Sequence, residues 1–481
     1  MIWYSPDSSL LRISGNVSPT YLPAESMPSI RSKKHRIILQ HTNRKAKGIL
    51  KSLVAAGLDA CDPLIGVTRA IHLKNNQLDV EGCLYNLTKY NRVVCVGAGK
   101  ASGQMAVGLE QVLGDQLEGG IALVKDGYGV PCRKIQIIEA AHPVPDRRGV
   151  KATQRILSLV RSLTKHDLLI VLLSGGASSL LCAPSPGLTL SDKQRTTNLL
   201  LKSGATIQEM NIVRKHLSAI KGGKLAQATP ATILTLIISD VLNDDLGTIG
   251  SGPTIPDSST FQDAIDILKQ FAIWTKVPVS VQWHLKKGLT GKISETWNPT
   301  RRQNARNRHI ILANNRNAIE GVAIASRKLK LKPFILPMPL QGEAKEIGRI
   351  LGSFVRDLVE FGNPLRPPAC LIAGGEPTVT VTGKGKGGRA QECVLAAAED
   401  LAGLKNVFVA GFGTDGTDGP TEVAGAVVDG KTQKRASRKG LDTQKFLDRN
   451  DSYHFFKQVG GHIITGSTGT NVNDIYLIVA F

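Results

Sequence analysis

Three apolar segments run directly into glycine-rich turns and then into helical patterns, and this feature constrains the fold more than any other. They are NRVVCVGAGK (91–100), DLLIVLLSGG (167–176) and ATILTLIISDV (231–241). Strands that are buried on both faces are continuously apolar, and parallel neighbours need a crossover helix between them. The pattern therefore predicts an α/β fold with parallel sheets that helices cover on both faces. Further apolar segments at 308–314, 369–377, 406–416 and 473–481 continue it to the end of the chain.

The pattern is interrupted around residues 285–307, where the sequence TGKISETWNPTRRQNARN is polar and basic. Domain boundaries fall in polar linkers that few contacts cross, so we interpret this segment as a linker between two α/β domains. The prediction is a larger N-terminal domain at residues 47–295 and a smaller C-terminal domain at 308–481.

Residues 1–46 differ from the rest of the chain, with eight serines, seven Lys or Arg residues and only Asp7 and Glu25 as acids. This composition is typical of an organelle transit peptide. A disordered extension and an incorrectly assigned start of the coding sequence are equally good alternatives. The predicted location therefore stays open between the cytoplasm and the mitochondrion.

The formal net charge of +21 favours acidic partners. No long Lys/Arg run occurs in the body of the chain, so we attribute most of this charge to the N-terminal arm and to solvated faces. With only 5% aromatic residues, a nucleic-acid partner is not expected. The seven cysteines form no CxxC pair, which argues against zinc ribbons and disulfide frameworks. No segment reaches the roughly 20 apolar residues of a membrane span.

The turn VGAGKASG (96–103) follows an apolar strand and opens a helical pattern, which places Gly97, Gly99 and Lys100 at the carboxyl end of a strand. Ligands of open α/β sheets bind at such ends. The turn is not a Walker A loop, because its lysine precedes alanine and the first glycine is missing. A structural turn and a dinucleotide-binding loop, with Asp126 as the ribose-binding acid, are alternatives. Lys100 favours a site for a carboxylate or a phosphate.

The turn SGGASS (174–179) repeats this arrangement after the next apolar strand. Its backbone N–H groups and hydroxyls could surround an anion, and a plain packing turn is the alternative. A nucleophilic serine is not expected, because the GxSxG pattern is absent.

The segment NIVRKHLSAIKGGKLA (211–226) is predicted to be one helix. Arg214, Ser218 and Lys221 would then lie on one face, either as a solvated cationic surface or as part of an anion site. The two glycines that follow Lys221 favour the binding loop.

Acidic turns follow two further strands. They are ISDVLNDDLGTIGSGPT (238–254), with Asp240 and Asp244, and GTDGTDGPT (413–421), with Asp415 and Asp418. Clustered carboxylates beside hydroxyls suit Mg²⁺, which prefers oxygen ligands and retains several waters. Turn formation and helix capping are the alternative for any single aspartate.

The loop GKGKGGRAQE (383–392) combines four glycines with Lys384, Lys386 and Arg389 just before a predicted helix start. Glycines allow a close backbone approach, and the free N–H groups of a helix start attract anions. Together with Lys100 and the acidic turns, these cations are what phosphoryl transfer needs, because its transition state is stabilised mainly by positioning, by cations and by metal.

Eight stretches, in order from about Asn91 to Asn473, resemble motifs of the class II glycerate kinases, which carry a C-terminal MOFRL domain. They are VGAGKA, AHPVPD, LLSGGASSLL, GATIQEMNIVRKHLSAIKGGKLA, ISDVLNDDLGTIGSGPT, GGEPTVTVTGKGKGGRAQE, GTDGTDGPT and TGTNVND. The resemblance implies a Rossmann-like N-terminal domain, a smaller C-terminal α/β domain and an active site in the cleft between them. It also implies phosphorylation of D-glycerate with ATP and Mg²⁺, giving 2-phosphoglycerate in most members. The family's active-site lysine and arginine would be Lys100 and Arg389.

The site predictions are therefore as follows. The catalytic residues are Lys100 and Arg389. The residues that bind substrate or phosphate are Gly97, Gly99, Ser174, Gly175, Gly176, Ser178, Asn211, Arg214, Lys221, Ser251, Gly252, Glu376, Thr470 and Asn471. The metal ligands come from Asp240, Asp244, Asp415 and Asp418.

The expected reactants are ATP, with Mg²⁺, and D-glycerate as the small-molecule substrate. Neither nucleic acid nor a membrane is an expected partner, and a homodimer is allowed. An NAD(P)H-dependent hydroxypyruvate reductase is the alternative function, because some members of the family have carried that label and because VGAGKASG with Asp126 resembles a dinucleotide site.

Overall fold

The structure, a computed structural model, describes residues 37–39, 44–300 and 304–481. Its strands are β1 (Ile38–Leu39), β2 (Ile71–Lys74), β3 (Gln77–Val80), β4 (Cys83–Asn86), β5 (Arg92–Ala98), β6 (Gly119–Lys125), β7 (Ile135–Ala140), β8 (Asp167–Ser174), β9 (Thr232–Ile238), β10 (Asn307–Ala313), β11 (Lys332–Ile335), β12 (Ala369–Gly375), β13 (Val407–Gly413), β14 (Gly425–Asp429), β15 (His462–Ile464) and β16 (Asp474–Ala480).

Its α-helices are α1 (Arg44–Ala60), α2 (Pro63–Ala70), α3 (Ser102–Leu113), α4 (Arg147–Arg161), α5 (Ala177–Leu180), α6 (Leu190–Lys202), α7 (Ile207–His216), α8 (Lys224–Gln227), α9 (Phe261–Gln270), α10 (Val279–Leu289), α11 (Asn315–Lys328), α12 (Ala344–Glu360), α13 (Arg389–Ala397), α14 (Thr432–Ser437), α15 (Thr443–Asp448) and α16 (Ser452–Val459). Helices α6, α7, α9 and α11 begin at capping boxes, in which two side chains bond each other's backbone N–H groups.

The predicted parallel sheet is present, with six strands in the order β10-β9-β8-β5-β6-β7. Its central strands β5, β8 and β9 are almost wholly buried, as their continuous apolar sequences require. In the register of the sheet, Ala98 pairs with Leu173 and Ser174 pairs with Ile238. The loops after these three strands therefore emerge side by side at one edge of the sheet.

Strand β10 extends this parallel sheet beyond the predicted linker, because it pairs with β9. The first part of the linker is packed rather than solvated: the Thr296 hydroxyl donates to the Asp257 carbonyl, and the Glu295 carboxylate accepts from the Phe261 N–H. The sheet of the N-terminal half thus takes an edge strand from residues that were expected in the C-terminal half. The domain boundaries at 47–295 and 308–481 stay a prediction.

The second large sheet has seven strands in the order β1-β15-β14-β13-β16-β12-β11 and differs from the parallel arrangement that was expected. Only β11 and β12 pair in parallel, and the other neighbours are antiparallel. The reason is that β16 inserts between β12 and β13 and runs against both. A continuous apolar strand reports burial on both faces and not direction, so the sequence pattern could not reveal this.

The register of β16 determines where the charges of this sheet lie. Asp474, its first residue, is paired with Gly375 at the end of β12 and with Gly413 at the end of β13. The residues that follow both strands, Glu376 and Thr414, therefore leave the sheet on either side of Asp474. This edge faces the loops of the parallel sheet.

Two elements near the start of the chain pack on the C-terminal sheet. Strand β1 pairs with β15, and helix α1 packs against α11. At Gly57 of α1, an added Cβ would come within 3.0 Å of the Ile475 side chain and 3.1 Å of Val322. Most of the arm at residues 1–46 lies outside the described residues, so its role stays a prediction. Helices of the described ranges are all too short or too polar to cross a membrane.

Candidate active site

The turns after β5 and β8 are locked together. The Lys100 N–H donates to the Gly175 carbonyl at 2.8 Å, and the Ala101 N–H donates to the Ser174 hydroxyl at 3.0 Å. Gly99 has φ +135, and an added Cβ would lie 2.1 Å from the Ser174 Oγ. Only glycine satisfies both the conformation and the contact at this position. The two turns therefore form one rigid platform for Lys100, and Ser174 serves as a structural acceptor inside it.

Lys100 crosses from this platform to the other half of the molecule. Its Nζ lies 2.7 Å from Oδ2 of Asp415, and the two side chains are 13% and 12% exposed. Burial disfavours the charged lysine, but Asp415 outweighs it, and the pKa of Lys100 is raised. Burial likewise opposes the charge of Asp415, and Lys100 with Thr417 keeps its pKa below the usual value. Both partners are therefore ionised at neutral pH.

Asp240, at the end of β9, lies beside the platform. Its Oδ2 accepts from the Asn471 amide at 2.9 Å, and a Cβ added to Gly175 would sit 2.1 Å from the same oxygen. Burial, followed by the nearby Glu376, raises the pKa of Asp240 to about 6. Among the described residues, the only side-chain hydrogen-bond partner of the Asp240 carboxylate is this neutral amide.

Arg389 is the first residue of α13 and is held by two carboxylates. Its Nε and Nη2 donate to Asp474 at 2.6 and 3.0 Å, and its Nη1 donates to Glu376 at 2.7 Å. Burial disfavours its charge, yet Asp474 outweighs this and raises the pKa of Arg389. The fork of donors is thereby fixed in one orientation. The remaining N–H donors of the guanidinium have no partner among the described residues.

Lys100 and Arg389 belong to one charged cleft between the two sheets. Glu376 joins them, because it bonds Arg389 and lies within electrostatic reach of both Asp240 and Lys100. The cleft holds two cations and four carboxylates, namely Lys100, Arg389, Asp240, Glu376, Asp415 and Asp474. The excess of negative charge suits a divalent cation.

Comparisons with known proteins bear on this cleft. A family model described as "Domain of unknown function (DUF4147)" matches residues 49–286, and one described as "MOFRL family" matches residues 369–474. A "Glycerate 2-kinase" of Pyrococcus horikoshii is 42% identical over 429 residues, which are 89% of this chain and 96% of that protein. The chain belongs to the glycerate kinase family.

A solved structure agrees with this assignment. The crystal structure of a glycerate kinase from Thermotoga maritima superposes with a TM-score of 0.80 at 37% identity, covering 91% of this chain and all of that one. A "Putative hydroxypyruvate reductase" of Agrobacterium vitis is also similar, at 42% identity over 81% of this chain and 99% of that protein. As a member of the glycerate kinase family, the protein is an enzyme of the kinase class.

In this glycerate kinase relative, the glycines of the 383–388 loop serve contacts within the protein. A Cβ on Gly383 would lie 2.2 Å from the Arg449 carbonyl oxygen, and one on Gly388 would lie 2.3 Å from the Asp418 carboxylate. Lys386 lies over the Tyr453 ring, with its Nζ 4.5 Å from the centroid. Of the three cations predicted in this loop, only Arg389 points its charge at the cleft carboxylates.

Two of the predicted metal ligands are already engaged in structural bonds. Asp418 accepts from the backbone N–H groups of Ala390 and Gln391, at 3.0 and 2.8 Å, and so caps the start of α13. Asp244 accepts from the Asn314 amide at 2.6 Å. Both contacts favour the capping and turn alternative, and no contact of either residue supports the metal prediction.

Some predicted binding residues also have structural partners. The Thr470 hydroxyl donates to the Cys61 carbonyl at 2.7 Å. Gly97 lies within β5, where a Cβ would come within 3.0 Å of Leu172. Gly252, with φ +59, accepts at its carbonyl from the Gly223 N–H. Their contacts with a substrate or phosphate stay a prediction.

The prediction of one helix over 211–226 is wrong. Helix α7 ends at His216, and the chain resumes helical structure only at α8. The intervening residues bond to a neighbouring loop instead, since the Ala219 N–H donates to the Ala183 carbonyl and the Leu217 carbonyl accepts from Ser185. Lys221 is nevertheless brought next to Ser178, Asn211 and Ser251 by the tertiary fold.

Asp474 is the cleft residue whose role sequence reasoning missed. It is the first residue of β16, and a charged residue that opens a wholly buried strand is a usable signal in the sequence. His142 was overlooked as well. A Cβ on Gly176 would come within 3.0 Å of its ring, and burial followed by Lys100 lowers the pKa of His142 to about 4. It is therefore neutral at physiological pH.

Proposed function

We propose that the protein transfers the terminal phosphoryl group of ATP to a hydroxyl of D-glycerate and forms 2-phosphoglycerate. The observation that carries the proposal is the cleft in which Lys100 and Arg389, from opposite halves of the molecule, share one cluster of carboxylates. Phosphoryl transfer asks a protein mainly for positioning and for charge stabilisation, and these fixed side chains supply both.

Arg389 is assigned to the glycerate carboxylate. Asp474 and Glu376 hold its guanidinium, so that its free N–H groups are already oriented before a ligand arrives. A planar fork of this kind binds a carboxylate in two places at once. Lys100 is a buried point charge at the tip of a rigid turn, and it is assigned to the phosphoryl group in transit.

A magnesium ion fits the acidic side of the cleft. The described residues contain no group of three or more His, Cys, Asp or Glu side chains that could hold a metal by themselves. Mg²⁺ in kinases needs only one or two carboxylates and takes its other ligands from water and phosphate oxygens. Asp240 would hold it, because this carboxylate lies in the cleft and, among the described residues, no cation is hydrogen-bonded to it. When bound, the ion would neutralise phosphate charge.

The reductase alternative has less support. Asp126, the acid expected to bind a ribose, is instead bonded at both oxygens by Arg148, at 2.7 and 2.8 Å. Gly99 makes room for Ser174 rather than for a pyrophosphate. No contact in this turn therefore favours a nicotinamide cofactor over a carboxylate or phosphate.

The deciding experiment supplies the full-length protein with MgATP and D-glycerate. Two control reactions contain MgATP with L-glycerate and MgATP without any acceptor. Phosphorus NMR of the products should show ADP together with 2-phosphoglycerate. A parallel reaction with hydroxypyruvate and NADH or NADPH should leave the nicotinamide absorbance unchanged. ADP that forms equally without glycerate, or rapid oxidation of the nicotinamide, would contradict the proposal.

The compartment and the oligomeric state remain part of the proposal. The basic, serine-rich arm supports mitochondrial import, and a cytoplasmic enzyme is the other outcome. Import of a fluorescent fusion carrying residues 1–46, compared with a fusion that lacks them, separates the two. Light scattering of the purified protein tests whether it forms the homodimer that the sequence allows.

A further inference from the structure

Five polar residues form a second group beyond the carboxyl ends of β8 and β9, which we call the α7 pocket: Ser178, Asn211, Arg214, Lys221 and Ser251. Four of them are linked by hydrogen bonds. Lys221 Nζ donates to the Ser178 Oγ at 3.1 Å, and this oxygen lies 2.9 Å from the Ser251 Oγ. Ser251 in turn donates to the Asn211 Oδ1 at 3.0 Å. The chain of bonds orders the loops after both strands against α7.

Two side chains of the α7 pocket have donors without an acceptor. Asn211 is only 4% exposed, and its Nδ2 has no hydrogen-bond partner among the described residues. Arg214, one helical turn later, makes no hydrogen bond or ion pair with any residue that the structure describes. Leaving a buried donor unpaired costs free energy, so we expect such donors to bond an acceptor atom of a ligand.

The charges of the α7 pocket are also unbalanced. Lys221 is 2% exposed, and its Nζ has only neutral acceptors: the Ser178 carbonyl and hydroxyl and the Gly250 carbonyl. Burial, and then the nearby Lys193 and Arg214, lower the pKa of Lys221 well below its usual range, and no carboxylate opposes them. Cations that are buried together without an acid are stabilised by a bound anion.

The α7 pocket is accessible and adjoins the catalytic cleft. Ser178 and Arg214 are half-buried, so that an anion can reach them from solvent. Ser178 lies two residues after Gly176, where an added Cβ would be 3.6 Å from the Lys100 Cγ. The loop from β9 touches the same segment, since a Cβ on Gly250 would lie 3.2 Å from that of Ala177. A ligand in the pocket would therefore extend towards Lys100.

We propose that the α7 pocket binds the polyphosphate of the phosphoryl donor, with Arg214 and Asn211 as hydrogen-bond donors and Lys221 as a buried countercharge. This assignment rests on the proposed kinase function. Several cations without any acid match a chain of phosphates better than a single carboxylate, for which the oriented Arg389 is available. The donor would lie on the parallel sheet, and the acceptor would lie across the cleft against the C-terminal sheet.

The test is calorimetric binding of inorganic tripolyphosphate, and separately of ADP, to the full-length protein without glycerate. Arg214→Gln should weaken tripolyphosphate binding by about tenfold or more, the loss of a charge-assisted bond. Asn211→Ala should weaken it less, because only a neutral donor is lost. Arg195→Gln, the same substitution at an exposed position of α6, should bind like wild type. Thermal unfolding without ligand checks that each variant is folded.

The outcomes separate this proposal from the proposed function. Wild-type affinity of both Arg214→Gln and Asn211→Ala for tripolyphosphate and ADP would overturn it, and so would a wild-type protein that binds neither. A raised KM for glycerate with unchanged tripolyphosphate binding would assign the pocket to the acceptor instead. If Arg214→Gln loses tripolyphosphate binding but wild type phosphorylates no glycerate, the pocket stands and the kinase proposal fails.

Discussion

Two arginines at the edges of the two sheets are held in opposite ways. Arg389, on the C-terminal side, is bonded by Asp474 and Glu376, whereas Arg214, on the N-terminal side, has no partner among the described residues. A paired arginine is oriented before its ligand binds and contributes direction. An unpaired arginine that is half-buried lowers the stability of the free protein and regains free energy when an anion binds. The comparison suggests a division of labour, in which one wall of the cleft orients the acceptor and the other neutralises the donor.

Two lysines that each form a buried ion pair with an aspartate can be compared in the same way. Lys100 pairs with Asp415 at 2.7 Å, and Lys215 pairs with Asp257 at 2.9 Å. In both pairs the side chains are about equally buried, but only the first pair joins the two halves across the cleft. Stability alone cannot tell them apart, whereas activity can.

The largest effect is expected for Lys100→Met. Loss of a charge that stabilises the phosphoryl group should lower kcat by about 100-fold or more. Lys215→Met is the matched control and should keep a kcat close to that of wild type. Both should be destabilised to a similar extent, by about 3 kcal/mol, because each leaves a buried aspartate unpaired. Steady-state kinetics and denaturant unfolding measure the two quantities, and equal losses of kcat would refute the catalytic role.

Arg389→Lys should have the next largest effect. A lysine keeps the charge, but it lacks the planar fork of donors. It therefore cannot donate to both Asp474 and Glu376 and also present two further donors to glycerate. We expect the KM for glycerate to rise by about tenfold, with a smaller change in the KM for ATP. Arg349→Lys, on the exposed face of α12, is the control for the substitution itself. An unchanged KM for glycerate would contradict the assignment of Arg389 to the glycerate carboxylate.

Asp240→Asn tests the metal side of the cleft through pH. Because the pKa of Asp240 is about 6, protons compete with a metal below that value. In wild type, the Mg²⁺ concentration for half-maximal activity should rise by about tenfold per unit as pH falls below 6. Asp240→Asn should need more Mg²⁺ at every pH and lose this dependence. A variant with the wild-type pH profile would exclude Asp240 as a ligand.

The smallest effect on chemistry is expected for Asp418→Asn. One carboxylate oxygen that caps α13 is replaced by an amide donor, so stability should fall by about 1 kcal/mol. Burial, followed by Asp474, raises the folded pKa of Asp418 to about 7. Protonation of Asp418 therefore stabilises the folded state. This contribution is fully present below 3.8, the pKa of the unfolded state, and is lost as pH rises through the folded pKa of about 7. The deficit of Asp418→Asn should therefore be larger at pH 5 than at pH 8, and the Mg²⁺ requirement should not change. A changed Mg²⁺ requirement would instead support the predicted metal role.

Much of the candidate site could be predicted because its residues follow strands that are visible in the sequence. Lys100 and Asp240 each come directly after a continuous apolar segment, and the ends of parallel strands meet at one edge. The sequence could not predict that Asp418 caps α13 or that Asp415 pairs with Lys100. Both aspartates lie in similar Asp-Gly turns, and only the packing of the turn against its neighbours separates a cap from an ion pair.

The direction of strands was likewise beyond the sequence pattern. The last strand, β16, is as apolar as β8, yet it runs against both of its neighbours. Hydrophobic periodicity reports how many faces of a strand are buried, while direction depends on connections that are distant along the chain. For the same reason, the pairing of β10 with β9 across the predicted linker came only from the structure.

By itself, the amino-acid sequence determined the alternation of buried strands and helices, the capped helix starts and the chemistry of the turns, because these depend on neighbours within a few residues. The tertiary structure alone decided which charges meet. Lys100 reaches Asp415 across 315 positions of the chain, and Asp474 lies between the ends of β12 and β13 only through the register of β16. Electrostatic interactions act through space at a few ångströms, so the paired and unpaired cations of this protein are properties of its fold.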